Sequence, residues 1–407
     1  ISGHDGRFFI DPELVQTIEV VRGPSSALYG SGALGGVIAT TTKTARDLLQ
    51  ETLIEAHRNG LNYIAWMEYG FMAAHQDTMN HLREMKPEWL SRDIDGGEDA
   101  PNGFVWMNPL HPEARRFLLD IILEAVDRYD LDGVQLDDRI VWPYVTMGYD
   151  DFTVAWYRNE HGGKINEYAR QFVKELRAAR PGLIVSLSPA PYPWCYENYL
   201  LEWPEWAAWE PGNSDNSWWD EFIPQCYRYD FPAFKITWDE QVQNLVDAGA
   251  GDRVGDLLAG VLTTGSRPDP VPRADLEQAI GHVRATGGGG HVWWFSRGVL
   301  DEYPVEIRAL YDVANLGKAA HPRRGHGWRP RSIRAERDQG MWFADDVPPG
   351  TYRVIARTDG VWRELRSSVT GGVDQIVMQG PENADALELL IDRRGDMAVW
   401  SREYRGD

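Results

Sequence analysis

Two short apolar runs end in carboxylates: "GVQLDD", residues 133–138, ends in Asp137 and Asp138, and "IAWME", residues 64–68, ends in Glu68. Acids presented in this way suit cleavage of a glycosidic bond, in which one carboxylic acid protonates the leaving oxygen and a carboxylate attacks or activates water. The residue types around them fit that chemistry. Trp66, Tyr69, Trp142, Tyr192, Tyr227 and Trp294 carry flat faces on which sugar rings can stack, and His111, Gln135 and Gln225 carry hydrogen-bonding groups. The sequence shows no cluster at metal-ligand spacing, no Gly-x-Ser-x-Gly elbow and no phosphate loop. Neither a metal nor a cofactor is implied.

Each candidate also has a plainer reading. An Asp-Asp pair at a strand end can cap a helix or form surface ion pairs, and Glu68 can be a structural carboxylate. His111, directly before Pro112, can simply begin a helix. Trp66, Trp142 and Trp294 can be packing residues of the core or its rim. Cys195 and Cys226 read as buried small hydrophobes, and Asn59, Gly60, Asp132 and Gly133 as turn residues.

What must position the acids is a repeating strand–helix cycle. "TARDLLQETLIEAHRNG" sets Leu48, Leu49, Leu53, Ile54 and Ala56 on one helical stripe closed by Asn59-Gly60. Beyond it, apolar runs at residues 61–68, 132–138, 183–188, 222–228, 256–263 and 290–296 alternate with helical stretches. Six strand-then-helix units in succession specify a parallel sheet with helices outside. The expected fold class is α/β, a TIM-like (β/α)8 barrel spanning residues 44–316, with an open doubly wound sheet as the alternative. In such a barrel the site lies at the C-terminal strand ends. Alternation turns Gln135 and Asp137 to one face there, with Ile64, Trp66 and Glu68, Ser186 and Ser188, and Gln225 and Tyr227 on the matching faces of their own strands.

The ends of the chain differ in character. Residues 1–43 are rich in Gly and Ser, with two β-branched runs, "TIEVVRG" and "GVIATTT". Residues 317–330 form a basic, Gly/Pro-rich linker, and residues 331–407 alternate as short strands, expected as a small antiparallel β-sandwich. The 407 residues, 43% hydrophobic, suffice for one large core and a smaller module. A net charge of -21 argues against nucleic acid or an anionic membrane surface as the main partner. There is no apolar run long enough to cross a membrane, so a soluble chain is expected, and two cysteines encode no disulfide framework. Oligomeric state is not encoded legibly.

Three segments, "ARDLLQETLIEAHRNGLNYIAWMEYGFM", "VWMNPLHPEARRFLLDIILEAVDRYDLDGVQLDD" and "VSLSPAPYPW" with "YLLEWPEW", resemble the glycosyl-hydrolase-like TIM barrels of bacterial envelope proteins over residues 45–315. The resemblance implies a (β/α)8 fold, a carbohydrate partner, hydrolysis of an envelope glycan such as peptidoglycan strands, an envelope location, and a site that includes Glu68, Asn108, Asp137, Asp138, Gln225 and Tyr227. Ala65 stands where that family usually has proline, and the helical region after Tyr149 is shorter than usual.

"DPELVQTIEVVRGPSSALYGSGALGGVIATTT", residues 11–42, resembles instead the plug domain of TonB-dependent outer-membrane receptors, particularly those for haem. By resemblance the helix near 44–59 follows the second barrel strand, so two strands of the family barrel are missing and the plug-like fragment stands in their place. Exposed strand edges are a hazard, and residues 17–22 and 37–42 are expected to cover them as barrel strands without binding haem; His4 alone is a poor ligand set. An inactive chimera and a non-catalytic glycan-binding barrel are the rival readings. The second is favoured if Asp137 and Glu68 lie far apart or are ion-paired.

Overall fold

The computed structural model describes residues 15–22, 36–42, 47–153, 164–294, 296–311 and 332–392. His4 and the linker 317–330 lie outside them. The chain divides into two compact units, one of residues 1–58 with 332–390, the other of residues 59–331 with 391–407.

In the first unit the two β-branched runs form β1 (Val15–Arg22) and β2 (Gly36–Thr42), which pair antiparallel with each other. They make a two-stranded sheet of their own and do not join the parallel strands, so the expectation that they complete the barrel fails. Consecutive strands can pair through a simple hairpin, whereas parallel insertion requires a crossover of roughly a dozen residues or more. Helix α1 (Leu48–Arg58) follows.

The second unit begins with β3 (Ile64–Met67). Where the sequence shows only a long polar loop, β4 (Met72–His75) and β5 (Phe104–Trp106) form an antiparallel pair. Helix α2 (Pro112–Arg128) leads to β6 (Gly133–Asp137), and α3 (Lys164–Ala179) to β7 (Ile184–Ser188). The short helix α4 (Trp194–Tyr199) precedes β8 (Glu221–Phe222), α5 (Phe231–Asp247) precedes β9 (Leu258–Leu262), and α6 (Arg273–Ala285) precedes β10 (Gly290–Trp294). Strands β3, β6, β7 and β8 pair parallel in that order, β9 pairs parallel with β10, and one parallel bridge, Phe222 to Leu257, links the two sets.

Five of the six expected runs thus enter as parallel strands, each shorter than its apolar run, whereas of the run 222–228 only Phe222 is strand, at the end of β8. β8 is cut shortest: Pro224 has no N–H to donate, and the chain beyond it is held by single bonds, Gln225 N to Pro189 O at 2.9 Å and Gly260 N to Pro224 O at 3.0 Å. Strands β6, β7 and β9 are almost wholly buried, as parallel strands covered on both faces should be, while β3 and β10 at the two ends of the order are only partly so. Among the described residues no ladder joins β10 to β3, so hydrogen bonds do not close the sheet. Gly133, expected in a turn, lies inside β6; a Cβ there would stand 2.7 Å from the Cβ and carbonyl oxygen of Ile184. Asp132 accepts from Tyr63 N at 2.8 Å and so ties β6 to the approach of β3. Trp106, Trp203, Trp206, Trp219 and Trp238 are fully buried, which puts much of the tryptophan content in the core.

The C-terminal residues of the first unit form β11 (Ile333–Asp338), β12 (Met341–Val347), β13 (Thr351–Thr358), β14 (Val361–Thr370), β15 (Val373–Met378) and β16 (Ala386–Ile391). They make one antiparallel sheet in the order β14-β13-β16-β11-β12-β15, where two packed sheets were expected. Helix α1 packs on it: Ile54 clusters with Ile355, Trp362 and Leu390. Arg58 lies 4.1 Å over the Trp362 ring and binds Glu388 through two nitrogens at 2.9 and 3.0 Å. The helix expected to serve the barrel therefore buries its apolar stripe against the C-terminal strands.

Candidate active site

Strand register sets the first row of the site. Trp66 stands beside Gln135, Gln135 beside Ser186, and Asp137 beside Ser188. Gln135 Nε2 donates to Ser186 Oγ at 3.0 Å. One residue past the Met67–Leu136 pair, Glu68 leaves β3 next to the position where Asp137 ends β6. Glu68 and Tyr69 are exposed, Tyr69 at 55%.

The acid pair is buried, Asp137 at 2% exposure and Asp138 at 8%. Gln225 Nε2 donates to Asp137 Oδ1 at 2.8 Å and to Ser188 O at 3.0 Å, which joins the ends of β6 and β7 to the segment after β8. On its other oxygen Asp137 accepts from Arg139 Nη1, and the same nitrogen lies 3.5 Å from Asp138 Oδ1. Arg139 carries no signal in a strand-pattern reading, although it directly follows the two acids. Its backbone is fixed as well: Phe71 N donates to Arg139 O at 2.7 Å, which staples the loop after Glu68 to the loop after Asp138.

The two acids differ in surroundings. Asp138 is pushed up to about 7 by burial, against which its own backbone hydrogen bond acts weakly. Cys195 and Tyr199 of α4 and Tyr227 all stand close enough to feel its charge, and burial raises all three of those groups as well. None of them is a cation. Asp137 has hydrogen-bond donors on both oxygens.

Beside the acids is an aromatic group. The Tyr227 ring stacks on Trp294 with centroids 5.5 Å apart, and Trp294 meets Trp66 edge to face at 5.2 Å. Trp66 is 40% exposed. Trp66 and Trp294 thus touch across the two strands that no ladder joins. The remaining candidates are engaged elsewhere. Asn108 is buried and donates to Asp150 Oδ1 at 2.9 Å and Thr153 Oγ1 at 2.6 Å. His111 stands at the start of α2 with its ring against Phe152 and Trp89, and lines a cavity of about 530 Å³ with Leu90, Arg92 and Asp150. Trp142 is buried against Gly148, where a Cβ would meet its ring at 2.2 Å. The Tyr192 backbone N–H donates to Gln241 Oε1 at 2.8 Å and its carbonyl accepts from Gln241 Nε2 at 3.0 Å, and its ring lies near Tyr196. Both cysteines are buried and free. Among the described residues no group of three His, Cys, Asp or Glu could hold a metal ion, and no helix is long and apolar enough to cross a membrane.

Comparison with known proteins divides the chain in two. The N-terminal segment is 61% identical over 49 residues to the hemin receptor of Yersinia pestis, a match covering 12% of this chain and 7% of that receptor's length. A glycosyl hydrolase of Bacillus subtilis, YngK, is 27% identical over 161 residues, covering 35% of this chain and 29% of that protein. Among solved structures, the glycoside hydrolase domain of PgaB from Bordetella bronchiseptica aligns at 14% identity and a TM-score of 0.44, over 64% of this chain and 77% of that one. The chain therefore spans a small part of the curated relatives it matches. The sequence model of the glycosyl hydrolase-like 10 family matches residues 15–265, beginning inside the plug-like segment and ending before residue 315. With well over half its length matched, this chain belongs to the glycosyl hydrolase-like 10 family.

Proposed function

We propose that the protein cleaves a bacterial envelope glycan, such as the glycan strands of peptidoglycan, by acid–carboxylate chemistry at the ends of β3 and β6. The observation that carries this reading is the contrast between two adjoining acids: Asp138 is buried with the Arg139 guanidinium no nearer than 3.5 Å, while Asp137 is held directly by Arg139 and Gln225. Environments that set two carboxyls apart assign an acid and a base. Asp138 gives its proton to the glycosidic oxygen as the bond from that oxygen to the anomeric carbon breaks, and the leaving sugar departs as an alcohol. A carboxylate, Asp137 or the exposed Glu68, either bonds to the anomeric carbon or takes a proton from the water that does. Trp66, Trp294 and Tyr227 offer the sugar its apolar face. Membership of the family and the resemblance to envelope glycosidases support the substrate class and an envelope location.

The test is release of reducing ends from purified, peptide-free peptidoglycan strands. Asp138→Asn is expected to lower the rate by about 10²- to 10⁴-fold while leaving strand binding intact. A second reading, binding without cleavage, is favoured by the ion pair between Asp137 and Arg139. Strands that bind wild type and Asp138→Asn equally, with no cleavage by either, would establish it.

A further inference from the structure

We propose that Arg139 is a positioning residue: one guanidinium nitrogen, seated between two carboxyls, commits to Asp137 and thereby makes Asp137 the ionised carboxylate and Asp138 the proton carrier. The inference deepens the proposed hydrolytic reading and rests on it for its link to catalysis; the charge assignment itself stands on the geometry. Arg139 Nη1 makes its contact with Asp137 Oδ2 and stays 3.5 Å from Asp138 Oδ1. A single nitrogen touching both carboxyls holds their nearer oxygens within two hydrogen-bond lengths, roughly 6 Å, of each other. Two like charges that close repel, so one ionises readily and the other resists. A cation placed symmetrically would relieve both. This one is off-centre.

The surroundings leave the choice to Arg139. The groups facing Asp138 are Asp137 and Arg139 from its own segment, the Cys195 thiol and Tyr199 hydroxyl from α4, and the Tyr227 hydroxyl from the segment after β8. Arg139 is the one cation in that set. Asp137 in addition takes the Gln225 amide, which is turned toward it by a second bond to Ser188 O. The position of Arg139 is itself determined, because Phe71 N holds its carbonyl and Gly70 passes so close that a Cβ there would stand 2.2 Å from that oxygen. The Arg139 side chain is 29% exposed, so one side of it meets solvent.

The experiment compares the intact wild-type chain with Arg139→Gln and Arg139→Lys, by infrared titration of protonated carboxyl groups and by the pH dependence of peptidoglycan-strand cleavage. Asp138→Asn and Asp137→Asn identify the bands. In wild type, the band lost in Asp138→Asn should persist to near neutral pH and that lost in Asp137→Asn should vanish at acid pH. In Arg139→Gln the Asp137 band should titrate about 1–3 pH units higher, with the separation restored at least partly in Arg139→Lys, which keeps the charge. Cleavage should follow by losing its acid limb at correspondingly higher pH. Unchanged band positions in Arg139→Gln would overturn the inference, and should that variant not fold, a wild-type spectrum in which Asp137 is the protonated member would overturn it equally. A wild type that shows the separation of bands but cleaves no strand would remove the hydrolytic reading and leave the charge assignment standing.

Discussion

Asp138 couples the site to pH in two ways that can be measured separately. Its ordinary value is 3.8 and burial raises it to about 7. As a proton donor it works only while protonated, so cleavage should fall as pH rises through about 7. For stability the sign follows from counting protons. Between about pH 4 and pH 7 the folded chain holds a proton that the unfolded chain has released, so folding stability declines across that window and levels off above it. Asp138→Asn removes the titration; its thermal midpoint should vary less over the window and exceed the wild-type value at about pH 8. A variant that follows the wild-type pH slope would show that another group carries it. At this scale, strand alternation made the shared face of Gln135 and Asp137 legible, and the apolar run before Glu68 made its place at a strand end legible, though not its exposure. The role of Arg139 was not, because sequence order says which residues are neighbours and not whether a long side chain folds back onto the acid two places before it. Asn108 came from resemblance and His111 from its residue type, and their packing around Asp150 and Phe152 depends on a loop whose path no periodicity encodes.

The elements that carry these residues depend on close backbone approaches. Gly70 has φ +51°, and a Cβ would lie 2.2 Å from Arg139 O, so Gly70→Ala meets both a steric clash and a left-handed backbone. We expect it to cost more than about 2 kcal/mol and to weaken cleavage further, since the same contact fixes Arg139. Chemical denaturation gives the first number and strand cleavage the second; a variant equal to wild type in both would mean that the loop relaxes freely. The six parallel strands were readable because each apolar run is followed by an amphipathic helix. What periodicity could not supply was length. A proline shortens β8, and β4 and β5 have too few residues to show alternation at all. The hairpin of β1 and β2 shows the same limit, since strand propensity identifies a strand and leaves its partner open.

On the scale of the whole molecule, the placement of α1 departs furthest from expectation. Its stripe says that Leu53 and Ile54 must be buried, and nothing in it says against what. The partner of Arg58, Glu388, lies 330 residues further along the chain. Sequence proximity assigned the helix to the strands that follow it, whereas its contacts with Ile355, Trp362 and Leu390 place it with the C-terminal sheet. His57 adds a buried contact, its Nδ1 2.7 Å from Arg353, and Gln50 accepts from Glu364 N at 3.2 Å. A helix held in this way should open with the sheet that covers it, because losing Ile54 from the cluster leaves a cavity lined by three strand residues. In native-state hydrogen exchange across a denaturant series, the amides of residues 52–58 should therefore share the opening free energy of β13 and β14. Ile54→Ala should lower protection of that set together, by about 2–5 kcal/mol, and leave β6 and β7 unchanged. Exchange of α1 that instead follows β6 and β7 would return the helix to the parallel strands and make the packing against Trp362 incidental.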